Sequence, residues 1–165
     1  MSTFFDDDAL EALACFQSGF KGYDFSEIEK IERLYNIKVE GQLKCFLIDV
    51  GRSDGGLVGD SLIQLYRPSW RVRQHLLFQV DFFNQMQEAG FYEYLHGPFV
   101  FSLISDTQYY FLQTTGGERD AVYHFDSNSL VVTRTKWDLV GFVEFIFSNK
   151  ECSPGFVTQG DLLLI

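Results

Sequence analysis

Four short runs dominate the second half of the chain, at residues 99–104, 108–112, 121–125 and 130–134, and each is rich in Val, Ile, Phe and Tyr. The segments between them contain Ser105-Asp106-Thr107, Thr115-Gly116-Gly117 and Asp126-Ser127-Asn128-Ser129, which are turn-forming residues at hairpin length. Parallel neighbours need a crossover of a dozen or more residues, and these connections are too short for one. The expectation is therefore an antiparallel meander, and it restricts the fold more than any other feature of the sequence.

Helical spacing precedes the meander. Asp8 with Glu11, followed by Leu10, Leu13 and Ala14, predicts a helix over 8–17. Ser26 with Glu29 reads as a capping box for a helix over 27–36, with Ile28, Ile31 and Leu34 or Tyr35 on one face. Leu43, Phe46, Leu47 and Val50 predict a third helix over 42–49, closed by Gly51. Residues 57–66 are compatible with a strand. From 70 to 89 neither Gly nor Pro intervenes, and Val72, Leu76, Val80, Phe83 and Gln87 predict the inner face of a long helix. After the strands, Asp138 opens a helix to 147 with Leu139, Phe142, Val143 and Ile146 facing inward. Helices first and consecutive strands later define an α+β domain.

The 165 residues suit a single domain with a substantial core, and no linker or repeat divides them. Asp and Glu total 23 against 13 Lys and Arg, a net charge of −10 that repels nucleic-acid backbones and anionic lipid and favours cationic partners. No apolar run approaches a membrane span, and the N-terminus lacks the pattern of a signal peptide. Cys15, Cys45 and Cys152 are odd in number and widely spaced, which predicts reduced thiols and, with the rest, a cytoplasmic protein.

Catalytic and metal-binding patterns are sparse. His75, His96 and His124 have no metal-ligand spacing, so neither metal nor cofactor is expected. Gly51-Arg52-Ser53-Asp54-Gly55 matches a nucleophile-elbow pattern in letters but follows helical spacing, and reads as a loop. Asp6-Asp7-Asp8 fits the favourable interaction of acids with a helix N-terminus. The strand aromatics alternate across the sheet, half toward the core and half available as a contact face.

An ordered series of motifs resembles the SUKH superfamily, named for a yeast cell-wall-synthesis regulator and its relatives. The series runs through Ile28, Ile31, Glu32 and Tyr35, then Ile37 and Val39, Leu43-Lys44-Cys45-Phe46-Leu47 and the turn at Gly55-Gly56. It continues with Pro98-Phe99-Val100-Phe101, the strand from Asp106 through Tyr109-Tyr110-Phe111-Leu112, then Ala121-Val122-Tyr123-His124-Phe125 and the helix at Phe142-Val143-Glu144-Phe145-Ile146. Val39-Glu40 stands where relatives carry Leu-Pro. The resemblance spans residues 25–148, leaving 149–165 as a C-terminal extension, and implies a mostly antiparallel sheet flanked by helices.

It also implies an immunity protein of a polymorphic or contact-dependent toxin system, which binds and neutralises a cognate toxin by occlusion, without catalysis. A basic, nuclease-type toxin would suit the acidic charge. The alternative within the superfamily is a non-catalytic regulatory or scaffold module. Acidic loops for steering and aromatics for anchoring give the candidate contact residues Asp54, Asp60, Trp70, Asp106, Tyr109, Glu118 and Asp120.

Overall fold

The computed structural model describes residues 4–58, 60–148 and 157–165. The helices are α1 (Asp7–Ala12), α2 (Ala14–Gln17), α3 (Phe25–Tyr35), α4 (Gly41–Val50), α5 (Val72–Glu88) and α6 (Leu139–Phe147). The strands are β1 (Phe20–Lys21), β2 (Ser53–Asp54), β3 (Pro98–Ile104), β4 (Gln108–Gln113), β5 (Ala121–Asp126) and β6 (Val131–Asp138). β1 and β2 form a small antiparallel pair, and the main sheet runs β3-β4-β5-β6 with every pairing antiparallel. The fold is α+β, with the expected meander at its centre.

Alternation along the strands divides the core into two clusters, one on each face of the sheet. Phe99, Phe101, Leu112 and Val122 point toward the side packed by α3, α4 and α6. Val100, Tyr109, Phe111, Tyr123 and Phe125 point toward α5, meeting Phe78, Phe82 and Met86. The sheet is thus a middle layer, and the expectation that one aromatic face remains available for contact is overturned. A strand covered on both sides hides every residue, as the unbroken burial of 99–102 shows.

Several element boundaries differ from expectation for local reasons. The 8–17 helix is split at Leu13, and its cap is Asp6, whose carboxylate accepts the Ala9 N–H at 2.8 Å. The capping box of α3 belongs to Asp24 and Glu27: Asp24 accepts the Glu27 N–H at 2.9 Å, and Glu27 accepts the Asp24 N–H at 3.0 Å. Asp24 has the extended backbone a cap requires, whereas Ser26 already lies in the first turn and donates its hydroxyl to Asp24. Residues 57–66 hold no strand among those described; a short 3-10 turn occupies Gln64–Tyr66. On α5 the buried face is His75, Phe78, Phe82 and Met86, so Val80 and Leu77 point outward.

Residues 157–165 dock against the helical side. Leu162 is fully buried; its N–H donates to the Tyr23 hydroxyl at 2.9 Å, and its carbonyl accepts from the Tyr35 hydroxyl at 2.6 Å. Cys15 is disulfide-bonded, which corrects the expectation of a reduced thiol at that position and removes one support for the compartment drawn from it; Cys152 lies outside the described residues. Sequence spacing fails here because a bridge needs only Cα atoms within about 7 Å in space. No described helix is long and apolar enough to cross a membrane.

Candidate interaction surface

The seven candidate residues do not form one site. Asp54 is buried, and its carboxylate accepts the N–H groups of Gly56, Leu57 and Val58 at 3.0 to 3.1 Å. Burial pushes its pKa up while those three donors pull it back. The turn it holds places Gly55 and Gly56 at φ of 71° and 93°, where glycine avoids a Cβ clash. Ser53 beside it is buried too, its hydroxyl oxygen accepting the Gly55 N–H at 3.2 Å. The Gly51 to Gly55 pattern therefore builds a turn whose serine is hidden from any substrate, and Asp54 has no surface to offer a partner.

Tyr109 is 3% exposed, which corrects its expected role as an exposed anchor. Its ring packs between Phe78, Phe82 and Phe125, and its hydroxyl accepts from the Gln85 amide at 2.8 Å. Trp70 is half-buried against His75 and Phe78. Asp60 is partly exposed, well before the strands, and Asp106 is exposed at the β3–β4 turn with φ of 59°.

Only Glu118 and Asp120 come together, in the β4–β5 connection, where they line an open polar groove of about 580 Å³. Glu118 accepts from Arg134 at 2.9 Å and from the Tyr123 hydroxyl at 3.0 Å, and Arg134 holds its pKa below the usual carboxylate value. Asp120 accepts the Gln42 N–H at 3.0 Å. Glu40 on the facing wall pairs with Lys38 at 3.1 Å and Arg119 at 2.6 Å. Most charge in this groove is matched internally, so it contributes little net field.

Unmatched acid lies around the start of α6. Asp138 rims the groove, caps α6 by accepting the Gly141 N–H at 2.8 Å, and accepts from the Gln42 amide at 2.8 Å. Glu144, further along α6, has its pKa raised by partial burial and then by repulsion from Asp6 and Asp138. That repulsion ties the α6 acids to the N-terminus of α1, where Asp7 and Asp8 are exposed. Phe145, next to Glu144 in α6, is 58% exposed, with its ring 4.6 Å from that of Trp137. This aromatic pair, with Lys136 over the Trp137 ring at 5.4 Å, is absent from the sequence-derived candidates. Its signal is visible, however: the inward stripe Leu139, Phe142, Val143 and Ile146 leaves Phe145 on the outer side.

Comparison with known proteins finds no match to any family model, to any curated protein or to any solved structure.

Proposed function

We propose that the protein binds a basic protein partner through the α6 face, and that the partner is the toxin suggested by the SUKH-like motif series. The observation that carries this reading is Phe145, exposed and braced by Trp137 on the helix that also carries Glu144 and is capped by Asp138; Lys136, over the Trp137 ring at 5.4 Å, is a cation beside the pair. Aromatic side chains at the centre of an interface supply much of its affinity, and surrounding charges of one sign raise the encounter rate with an opposite partner. Glu118 and Asp120 stand at the margin of this face and belong to its rim. The mode of action is occlusion of the toxin, with no turnover and no cofactor. Ser53 supports a non-catalytic role, because the only elbow-like serine is buried in a turn.

The test is binding of the purified protein to the toxin domain encoded next to its gene, together with growth protection of cells expressing that domain. The reading predicts saturable binding that weakens with salt, and protection that is lost with Phe145→Ala. Binding without protection would favour the regulatory or scaffold alternative. Absence of binding would overturn the immunity reading.

A further inference from the structure

On the α3–α5 side of the molecule the sign of the charge reverses. Two adjoining grooves of about 840 and 460 Å³ share Val72 in their walls. Their floor and sides are aliphatic, with Leu34, Leu77, Val80, Leu163 and Leu164 among the contributors. Leu77 and Val80 are 56% and 51% exposed. They lie on the outer side of α5, opposite the phenyl groups that α5 buries against the sheet, and no described element covers them. The Val72 N–H donates to the Leu164 carbonyl at 2.8 Å, which fixes the helix to the C-terminal segment and forms the groove between α3 and α5.

The walls carry five Lys and Arg against two Asp and Glu, in a chain whose totals are 13 and 23. Both of those acids, Glu27 and Asp161, are engaged by Arg52, at 2.8 and 3.5 Å. Arg71 on the α5 wall donates to the Ile165 backbone oxygen at 2.7 Å, which leaves Lys30 and Arg33 on the α3 wall and Arg73 on the α5 wall as a cationic border on both sides of an apolar floor. Arg33 pairs with Glu29 at 3.8 Å, and both side chains are highly exposed, a pair too solvated to cancel the Arg33 charge for an incoming ligand.

We infer that this groove docks an acidic amphipathic segment of another protein, with aliphatic side chains seated on Leu77 and Val80 and carboxylates toward Arg73 and Lys30. The charge pattern selects this occupant. A single-stranded nucleic acid is held on aromatic stacking platforms, and the groove walls contain no aromatic residue; a duplex presents phosphates and no apolar side chains for the aliphatic floor. A bilayer surface is broad and does not enter a concave groove, so it cannot reach the aliphatic floor between the α3 and α5 walls. A helix with aliphatic residues on one face and acids on both flanks satisfies the floor and both walls together. This surface is separate from the α6 face, and the inference does not depend on the identity of the toxin.

The test uses a synthetic helix-forming peptide with leucines on one face and glutamates on both flanks, titrated into the isotope-labelled full chain. The same peptide with lysines replacing the glutamates serves as control. The inference expects saturable shifts centred on Leu34, Leu77 and Val80 with the glutamate peptide alone. It also expects affinity to fall by about tenfold or more in the Leu77→Asp/Val80→Asp variant and, separately, in Arg73→Glu. All three positions are solvent-facing, so the variants should keep the wild-type melting temperature. Equal binding of both peptides would overturn the inference, as would no binding of either. So would binding confined to phosphatidylglycerol vesicles or single-stranded DNA, or self-association that buries Leu77 in sedimentation and shift experiments.

Discussion

The Gln64 side chain replaces a missing neighbour strand for Leu103: its amide donates to the Leu103 carbonyl at 3.0 Å and accepts the Leu103 N–H at 2.6 Å. Gln79 does the same for Val100, at 2.7 and 3.0 Å. Together they satisfy the free edge of β3, which would otherwise present unpaired backbone groups. Gln64→Leu keeps the volume and removes both bonds, so unfolding in urea should show a loss of about 2 to 3 kcal/mol. A loss below that of an ordinary surface substitution would mean that water serves the edge equally well.

His75 is 1% exposed, and its Nε2 has no hydrogen-bond partner among the described residues. Burial lowers its pKa to about 4, with Asp161 pulling weakly the other way. Because the folded value lies below the unfolded one, stability is complete above about pH 6.5 and falls as pH drops toward 4, where the loss levels off. The loss over that window should be about 3 kcal/mol, and His75→Leu should flatten it. Glu27, held at about 2 by Arg52, adds a separate decline beginning below about 4.5. Chemical denaturation across pH resolves the two legs; an unchanged upper leg in His75→Leu would refute the assignment.

Leu162 locks the C-terminal segment to Tyr23 and Tyr35. Leu162→Ala should cost about 2 to 5 kcal/mol, as for other fully enclosed leucines, and Tyr35→Phe about 1 kcal/mol. Thermal unfolding of the two variants checks the order, and equal melting temperatures would argue against docking of this segment.

Leu130 sits in the β5–β6 turn with φ of 54° and its side chain largely in solvent. A leucine in that conformation costs roughly 1 to 2 kcal/mol, and the side chain recovers little by packing. Leu130→Gly should therefore stabilise the protein by about 1 kcal/mol, seen as a higher midpoint in urea. Destabilisation would show that the turn changes shape in solution.

On the α6 face, Glu144→Lys should slow association with a basic toxin domain and reduce its salt sensitivity, leaving dissociation nearly unchanged. Phe145→Ala should act the other way, raising the dissociation rate by roughly tenfold or more. Stopped-flow binding at low and high salt separates the two; identical effects on both rates would undo the division into steering and anchoring.

The meander, α4 and the Asp138 cap were legible because each depends on residues close in sequence. The inner face of α5 was not. This helix carries aliphatic residues on one side and His75, Phe78, Phe82 and Met86 on the other, and only the second layer beneath the sheet decides between them. Tyr109 follows from the same fact: strand alternation sends it away from Leu112, but not into solvent. Asp54 and Ser53 are turn residues in sequence, and their burial depends on the β1–β2 pairing. Phe145 was legible from helical spacing, yet in a chain with 18 Phe its type alone suggests core.

A sheet enclosed between two apolar clusters also divides the molecule's resistance to opening. β4 and β5 are flanked by strands on both sides and covered on both faces, so their amides can exchange with deuterium only when the whole domain unfolds. α5 is the principal helix over the second face, whereas α3, α4 and α6 share the first with the C-terminal segment. Detaching α5 exposes one cluster and leaves the other closed, which makes this helix the natural unit of partial unfolding. Its amides should exchange ahead of the strands, and a ligand seated on Leu77 and Val80 should slow them selectively.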